Sequence, residues 1–141
     1  MVLGLLATGA TAYAAGVYSG KVTGTVTVLT TTTTDPGAIL ALTNVTANGH
    51  ACTVTNPTTA SCPTFNINEG QTSAFTLGLC NSGTVAVGAT VTGTTTLTGS
   101  SIVAAQPSLP VFGNGCNQWN LTYTAPTTVA GTDQITINIV A

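Results

Sequence analysis

From Lys21 onward the chain alternates apolar and hydroxyl side chains with a period of two, and no 3.6-residue repeat interrupts it. In KVTGTVTVLT, Val22, Val26 and Val28 share one side with Gly24, and threonines occupy the other. Successive side chains of a strand point to opposite faces, so this pattern builds half-buried strands rather than amphipathic helices. Threonine makes up 32 of the 141 residues. Its branched Cβ favours extended backbone, and its hydroxyl hydrates a face without charge.

The same alternation recurs between turn signals. AILALTNV, ACTVT, FNIN and TSAFTLGLC come first, and the last places Phe75, Leu77 and Leu79 on one face. Turns are expected at Asp35-Pro36-Gly37 and Asn81-Ser82-Gly83. TVAVGATVTGTTTLTG is long enough to bend at Gly88 or Gly93. SIVAA follows, and then WNLTY, where Trp119, Leu121 and Tyr123 alternate. In DQITINIVA, Ile135, Ile137 and Ile139 alternate with Gln134, Thr136 and Asn138. Loops rich in proline are expected over Asn56–Pro63 and Gln106–Gly115. Eight or nine short strands in one domain predict an all-β, jelly-roll or immunoglobulin-like β-sandwich over residues 21–141. An apolar segment, residues 1–20, precedes it.

Only Lys21, Asp35, Glu69 and Asp133 carry formal charge, 3% of the chain against roughly 25% in ordinary domains. One lysine with no arginine cannot neutralise a phosphate backbone, so no nucleic-acid partner is expected. Three scattered acids do not form a calcium cage. With so few titratable groups, acid is expected to alter folding little.

Four cysteines, Cys52, Cys62, Cys80 and Cys116, form no C-x-x-C pair, which argues against zinc and for two disulfides. Three pairings exist. Cys52–Cys62, closing a turn-rich loop, and Cys80–Cys116, across the later strands, are favoured. Sequons occur at Asn44-Val45-Thr46 and Asn120-Leu121-Thr122, whereas Asn56-Pro57-Thr58 is excluded by its proline. Glycans there would hydrate a nearly uncharged surface. Asn120 should point outward if Trp119 and Leu121 point in.

Little here resembles catalytic machinery. His50, the only histidine, lies in the turn-like ANGHAC. No nucleophile elbow, cysteine-protease signature, H-E-x-x-H or phosphate loop accompanies it. Glu69 and Asp133 read as turn or strand-edge residues. An isopeptide link from Lys21 to an asparagine, assisted by Glu69 or Asp133, would need all three groups buried together. No enzyme, cofactor or metal is expected.

Val2 to Tyr18 is uncharged. Ala12 to Gly16 resembles a signal-peptidase site, yet no Lys or Arg precedes the apolar run. A removed leader is one reading. As a helix the 17 residues reach only about 26 Å, marginal for a bilayer. The alternatives are a packed filament helix, or an extended strand given to a neighbour.

GLLATGATAYAAGVYSGKVTGTVTVLT, residues 4–30, resembles the start of TasA/camelysin-type biofilm fibre proteins. INEGQTSAFTLGLCNSGTVAVGATVTG, residues 67–93, resembles that family's Phe-bearing strand, its Asn-x-Gly turn and the strand beyond. Archaeal bundling pili are built from similar subunits. The resemblance implies a subunit that polymerises by donor-strand complementation, an apolar N-terminal strand filling a groove in the next copy. Val2, Leu3, Leu5, Leu6, Tyr13, Val17 and Tyr18 would form that polymerisation segment. The implied partner is a homo-polymer of identical subunits in an extracellular, cell-surface filament serving adhesion or biofilm, with a membrane met only before assembly. The alternative is an archaeal type IV pilin, whose N-terminal helix packs in the filament core. Gly16-x-x-x-Gly20 suits close helix contact in that case.

Overall fold

A computed structural model describes residues 21–30 and 36–141. The expected polymerisation segment, Asp35 and the choice between helix and strand over residues 2–20 lie outside the described residues. Twelve strands are described: β1 Lys21–Thr30, β2 Leu40–Ala47, β3 His50–Ala51, β4 Thr53–Asn56, β5 Thr59–Ser61, β6 Phe65–Asn68, β7 Thr72–Asn81, β8 Val87–Thr94, β9 Ser101–Ala104, β10 Ser108–Val111, β11 Gly115–Thr124 and β12 Gly131–Val140. They form two packed sheets, a β-sandwich. The seven-stranded sheet runs β10-β8-β12-β1-β5-β4, with β6 also on β1, and the five-stranded sheet runs β3-β2-β7-β11-β9.

Period-two alternation decides which side chains meet between the sheets. Val22, Val26 and Val28 of β1 are buried with Ile135, Ile137 and Ile139 of β12. From the other sheet come Phe75, Leu77 and Leu79 of β7 and Trp119, Leu121 and Tyr123 of β11. Each such side chain contributes roughly 1.5–3 kcal/mol when fully buried. A bulge between Leu42 and Asn44 lets two consecutive residues, Thr43 and Asn44, face outward while Leu42 and Val45 stay buried.

Two strands occupy stretches expected to be loops. Ser108–Val111 pairs with β8, and Thr59–Ser61 pairs with both β1 and β4. Prolines suggested loops there, but Pro110 sits on an edge strand, where a missing N–H costs no ladder bond. β8 begins at Val87 rather than at Thr84 and does not break at Gly88 or Gly93. Gly93 instead leaves room for Ile102, whose side chain would overlap a Cβ there.

The first strand holds a position no local pattern reveals. β1 lies inside its sheet, parallel to β12 from Val22↔Gly131 to Thr30↔Ile139, and antiparallel to β6 and β5 on its other side. Its register is keyed by Gly24. A Cβ at that position would overlap the ring of Phe65, the residue directly opposite. That ring packs edge-on against Phe75 at 5.7 Å and Tyr123 at 6.0 Å between centroids. The cluster therefore reads the glycine notch and fixes the strand lengthwise.

Gly24→Val should destabilise the fold by about 1–3 kcal/mol, the usual cost of overpacking a filled core. Gly88→Ala, where nothing lies within 4 Å of an added Cβ, should change stability by no more than about 1 kcal/mol. Urea denaturation of the two variants checks the contrast.

Candidate functional site

The disulfides join Cys52 to Cys62 and Cys80 to Cys116, the pairing favoured from the sequence. Cys52 lies where the chain passes from β3 in one sheet to β4 in the other. Its N–H donates to the Val45 carbonyl at 2.8 Å, and that of Cys62 donates to Val26 at 3.2 Å. The bridge therefore ties the two sheets at their crossing. Cys80 and Cys116 are direct cross-strand partners on β7 and β11, the centre of the five-stranded sheet.

Both sequon asparagines are exposed. Asn120 points outward between buried Trp119 and Leu121. Asn44 stands on the bulge, at the rim of a shallow depression of about 420 Å³ bounded by Gly78, the Cys80–Cys116 bridge and Gln118. That rim offers carboxamides and a hydroxyl, which hydrogen-bond but do not titrate.

His50 is exposed and follows a tight hairpin turn. Asn48 and Gly49 there both adopt positive φ, 53° and 79°, as a two-residue turn between twisted strands requires. Glu69 sits in the β6–β7 turn, and its Oε2 is buried without a hydrogen-bond partner. Lys21 is opposite Asn68 in the backbone register. Among the described residues no three His, Cys, Asp or Glu side chains converge as metal ligands.

Asp133 corrects its expected place at a strand edge or turn: it is fully buried within β12. Its phase explains this, since Asp133 falls on the same face as Ile135, Ile137 and Ile139. The carboxylate is fully occupied there. Oδ2 accepts from the Tyr123 hydroxyl at 2.6 Å. Oδ1 accepts from the N–H of Thr96 at 2.8 Å, the N–H of Leu97 at 3.0 Å and the Thr96 hydroxyl at 3.2 Å. One charge thus staples the β8–β9 connection to β11 and β12. Burial alone would raise the carboxyl pKa. Hydrogen bonds from Tyr123, Ser100 and the two amides outweigh it and hold Asp133 below the ordinary aspartate range. Burial, then the hydrogen bond to Asp133 and its charge, push the Tyr123 phenol up.

A second buried polar group organises the opposite end of the sandwich. Asn81 is 1% exposed and uses all its side-chain hydrogen-bonding capacity. Its Oδ1 accepts from the N–H of Ile39 at 3.0 Å and of Gly83 at 2.9 Å. Its Nδ2 donates to the carbonyls of Val85 at 2.8 Å and Val111 at 3.2 Å. Three connections, β1–β2, β7–β8 and β10–β11, are thereby held together. Sequence reasoning saw only a turn at Asn81-Ser82-Gly83.

The sheet edges complete the picture. On the side away from β12, β10 covers only Val87–Thr90 of β8. No described strand pairs with Thr92–Thr94 there, and β9 is the last strand of the other sheet. These two edges bound a cleft of about 240 Å³ lined by Val91, Gly93, Ile102, Val103 and Pro107. Val103 is 62% exposed.

The depressed pKa of Asp133 means that the folded state binds its proton less readily than the unfolded chain. Its stabilisation is complete above the ordinary aspartate value, about 3.9, and is lost as pH falls through the lower folded value. Thermal melts should thus decline below about pH 4, against the nearly flat response expected from the count of charges. Asp133→Asn should lower stability at neutral pH by about 2–4 kcal/mol and flatten the acid decline. An unchanged decline in that variant would remove Asp133 as its source.

No protein-family model matches this chain, and a search of curated proteins finds no match.

Proposed function

We propose that the chain is a structural, non-enzymatic subunit of an extracellular cell-surface filament serving adhesion or biofilm. Identical copies join head to tail when the apolar segment Val2–Tyr18 of one is donated as a strand to the next. The observation that carries this reading is the open edge between β8 and β9. Thr92 and Gly93 of β8 and Ile102–Ala104 of β9 line a common cleft, with no described strand between them. An extended, uncharged segment added to such an edge gains main-chain hydrogen bonds, and alternate side chains enter the cleft. Val103 offers an apolar contact at its rim.

Three further features support it. The disulfides and exposed sequons suit an oxidising, extracellular setting. The surface carries hydroxyls and amides in place of mixed charge, which suits a chain that is covered on assembly. The donated segment is contiguous with β1, which is locked into its own sheet by the Gly24 notch, so the copies are linked through a rigid root.

Electron microscopy of the purified protein should show filaments, and light scattering should show no stable monomer at high concentration. Val103→Lys places a charge on the accepting edge, a device that blocks strand addition. It should raise the concentration needed for assembly about tenfold, equivalent to 1.4 kcal/mol per contact, without changing the melting temperature. Filaments that form as readily from Val103→Lys would reject this edge as the acceptor. Continuous helix over residues 2–20 in a filament density would select the type IV pilin alternative instead.

A further inference from the structure

We infer that the end of the sandwich organised by Asn81 is a preformed docking tip for a second copy of this chain, seating the root of that copy's apolar segment. The inference rests on the filament reading and adds a contact separate from the strand edge.

The tip carries three exposed apolar side chains on the connections that Asn81 holds. Phe112 is 66% exposed, Ile39 59% and Val85 38%. They are neighbours by backbone contact. The N–H groups of Thr84 and Val85 both donate to the Gly37 carbonyl, at 2.9 and 3.2 Å. Ser82 N–H donates to the Ile39 carbonyl at 2.9 Å, and Asn114 N–H to the Gly83 carbonyl at 3.0 Å. Two glycines allow this close approach. A Cβ on Gly83 would overlap the Gly37 carbonyl, and one on Gly113 would lie 2.6 Å from the Thr84 carbonyl oxygen. Residues 37–39, 82–85 and 112–114 are thus held together before any partner arrives, so little ordering entropy opposes docking there.

Strand directions identify the occupant. Parallel β1 and β12 begin together, at Lys21 and Gly131, and end together, at Thr30 and Val140. β8 runs against β12, so its first residue, Val87, lies at the end where β1 and β12 finish. That is the end bearing Val85 and the tip. Lys21, which the apolar segment precedes in sequence, therefore lies at the opposite end, about 30 Å away at 3.3 Å per residue of β1. Copies stacked end to end bring the Lys21 end of one against the tip of the next. The large side chains nearest Lys21 in sequence are Tyr18, Val17 and Tyr13, apolar or aromatic like Ile39, Val85 and Phe112. Extended at about 3.3 Å per residue, the 17 residues span about 56 Å. Their far half can continue from the tip to the β8–β9 edge of the same acceptor.

The test places a photoreactive benzoylphenylalanine at position 112 and mixes that protein with isotopically heavy wild type before assembly. The expected adduct joins position 112 to a heavy peptide from residues 2–18. An adduct to the same light chain, an adduct elsewhere on the heavy chain, or filaments without an adduct would each overturn the inference. As a second measurement, Phe112→Ser with Ile39→Ser should raise the concentration for assembly at least tenfold. The melting temperature should shift by no more than about 2 °C, because both side chains are mostly exposed. If wild type forms filaments and the double variant matches it, the tip contact fails and the filament stands. If wild type forms none, the filament reading fails first.

Discussion

The fold depends on the first strand lying beside the last. β1 enters the seven-stranded sheet between β12 and the β5–β6 pair, so both flanks of the sheet need it. Its partners are far apart in sequence, and bringing them together is entropically costly. The return is burial of Val22, Val26 and Val28 against the isoleucines of β12. Register then matters, because a one-residue slip would turn every valine outward and every threonine inward. The Gly24–Phe65 notch settles that register sterically, in a strand whose repeating Val-Thr pattern would otherwise tolerate slips of two.

Two buried polar side chains do for the ends of the sandwich what β1 does for its middle. Asp133 fixes the β8–β9 connection near the end where β1 begins, and Asn81 fixes three connections at the other end. Each replaces water by a full set of hydrogen bonds, so burial carries little penalty. Threonine hydroxyls on the faces cannot substitute, since each offers one donor and a short reach. A chain with almost no charge therefore places one carboxylate where it is worth most.

The strand faces were legible in the sequence, and so was the sandwich, because alternation is local. Phe75, Leu77, Leu79, Trp119, Leu121 and Tyr123 point inward as their spacing predicts. Strands carrying or flanked by proline were not legible: Ser108–Val111 owes its conformation to β8, and Thr59–Ser61 to β1 and β4, rather than to their own residues. The parallel pairing of β1 with β12 has no local signal at all. Asp133 was legible in principle: its phase matches Ile135, Ile137 and Ile139, but its charge argued for the surface. The phase prevailed because Tyr123 and two amides supply partners that no sequence window contains. Asn81 shows the same limit, a turn residue whose partners come from three separate connections.

The edges show how an uncharged sandwich avoids indiscriminate pairing. Natural sheets commonly guard edges with lysine, but this chain has one lysine, and it lies in β1. Its terminal strands are short instead: two residues in β3 and four each in β4, β9 and β10, the last with Pro110 in its middle. The ten-residue strands β1, β7, β11 and β12 all lie inside a sheet. At the four terminal strands, side-by-side association therefore finds no edge longer than four residues. Among the features the described residues leave accessible are the short edge beside Val103 and the apolar tip. An assembly restricted to those two features adds copies at the ends rather than along the sides, so the geometry that suppresses aggregation is the same geometry that would give a filament its direction.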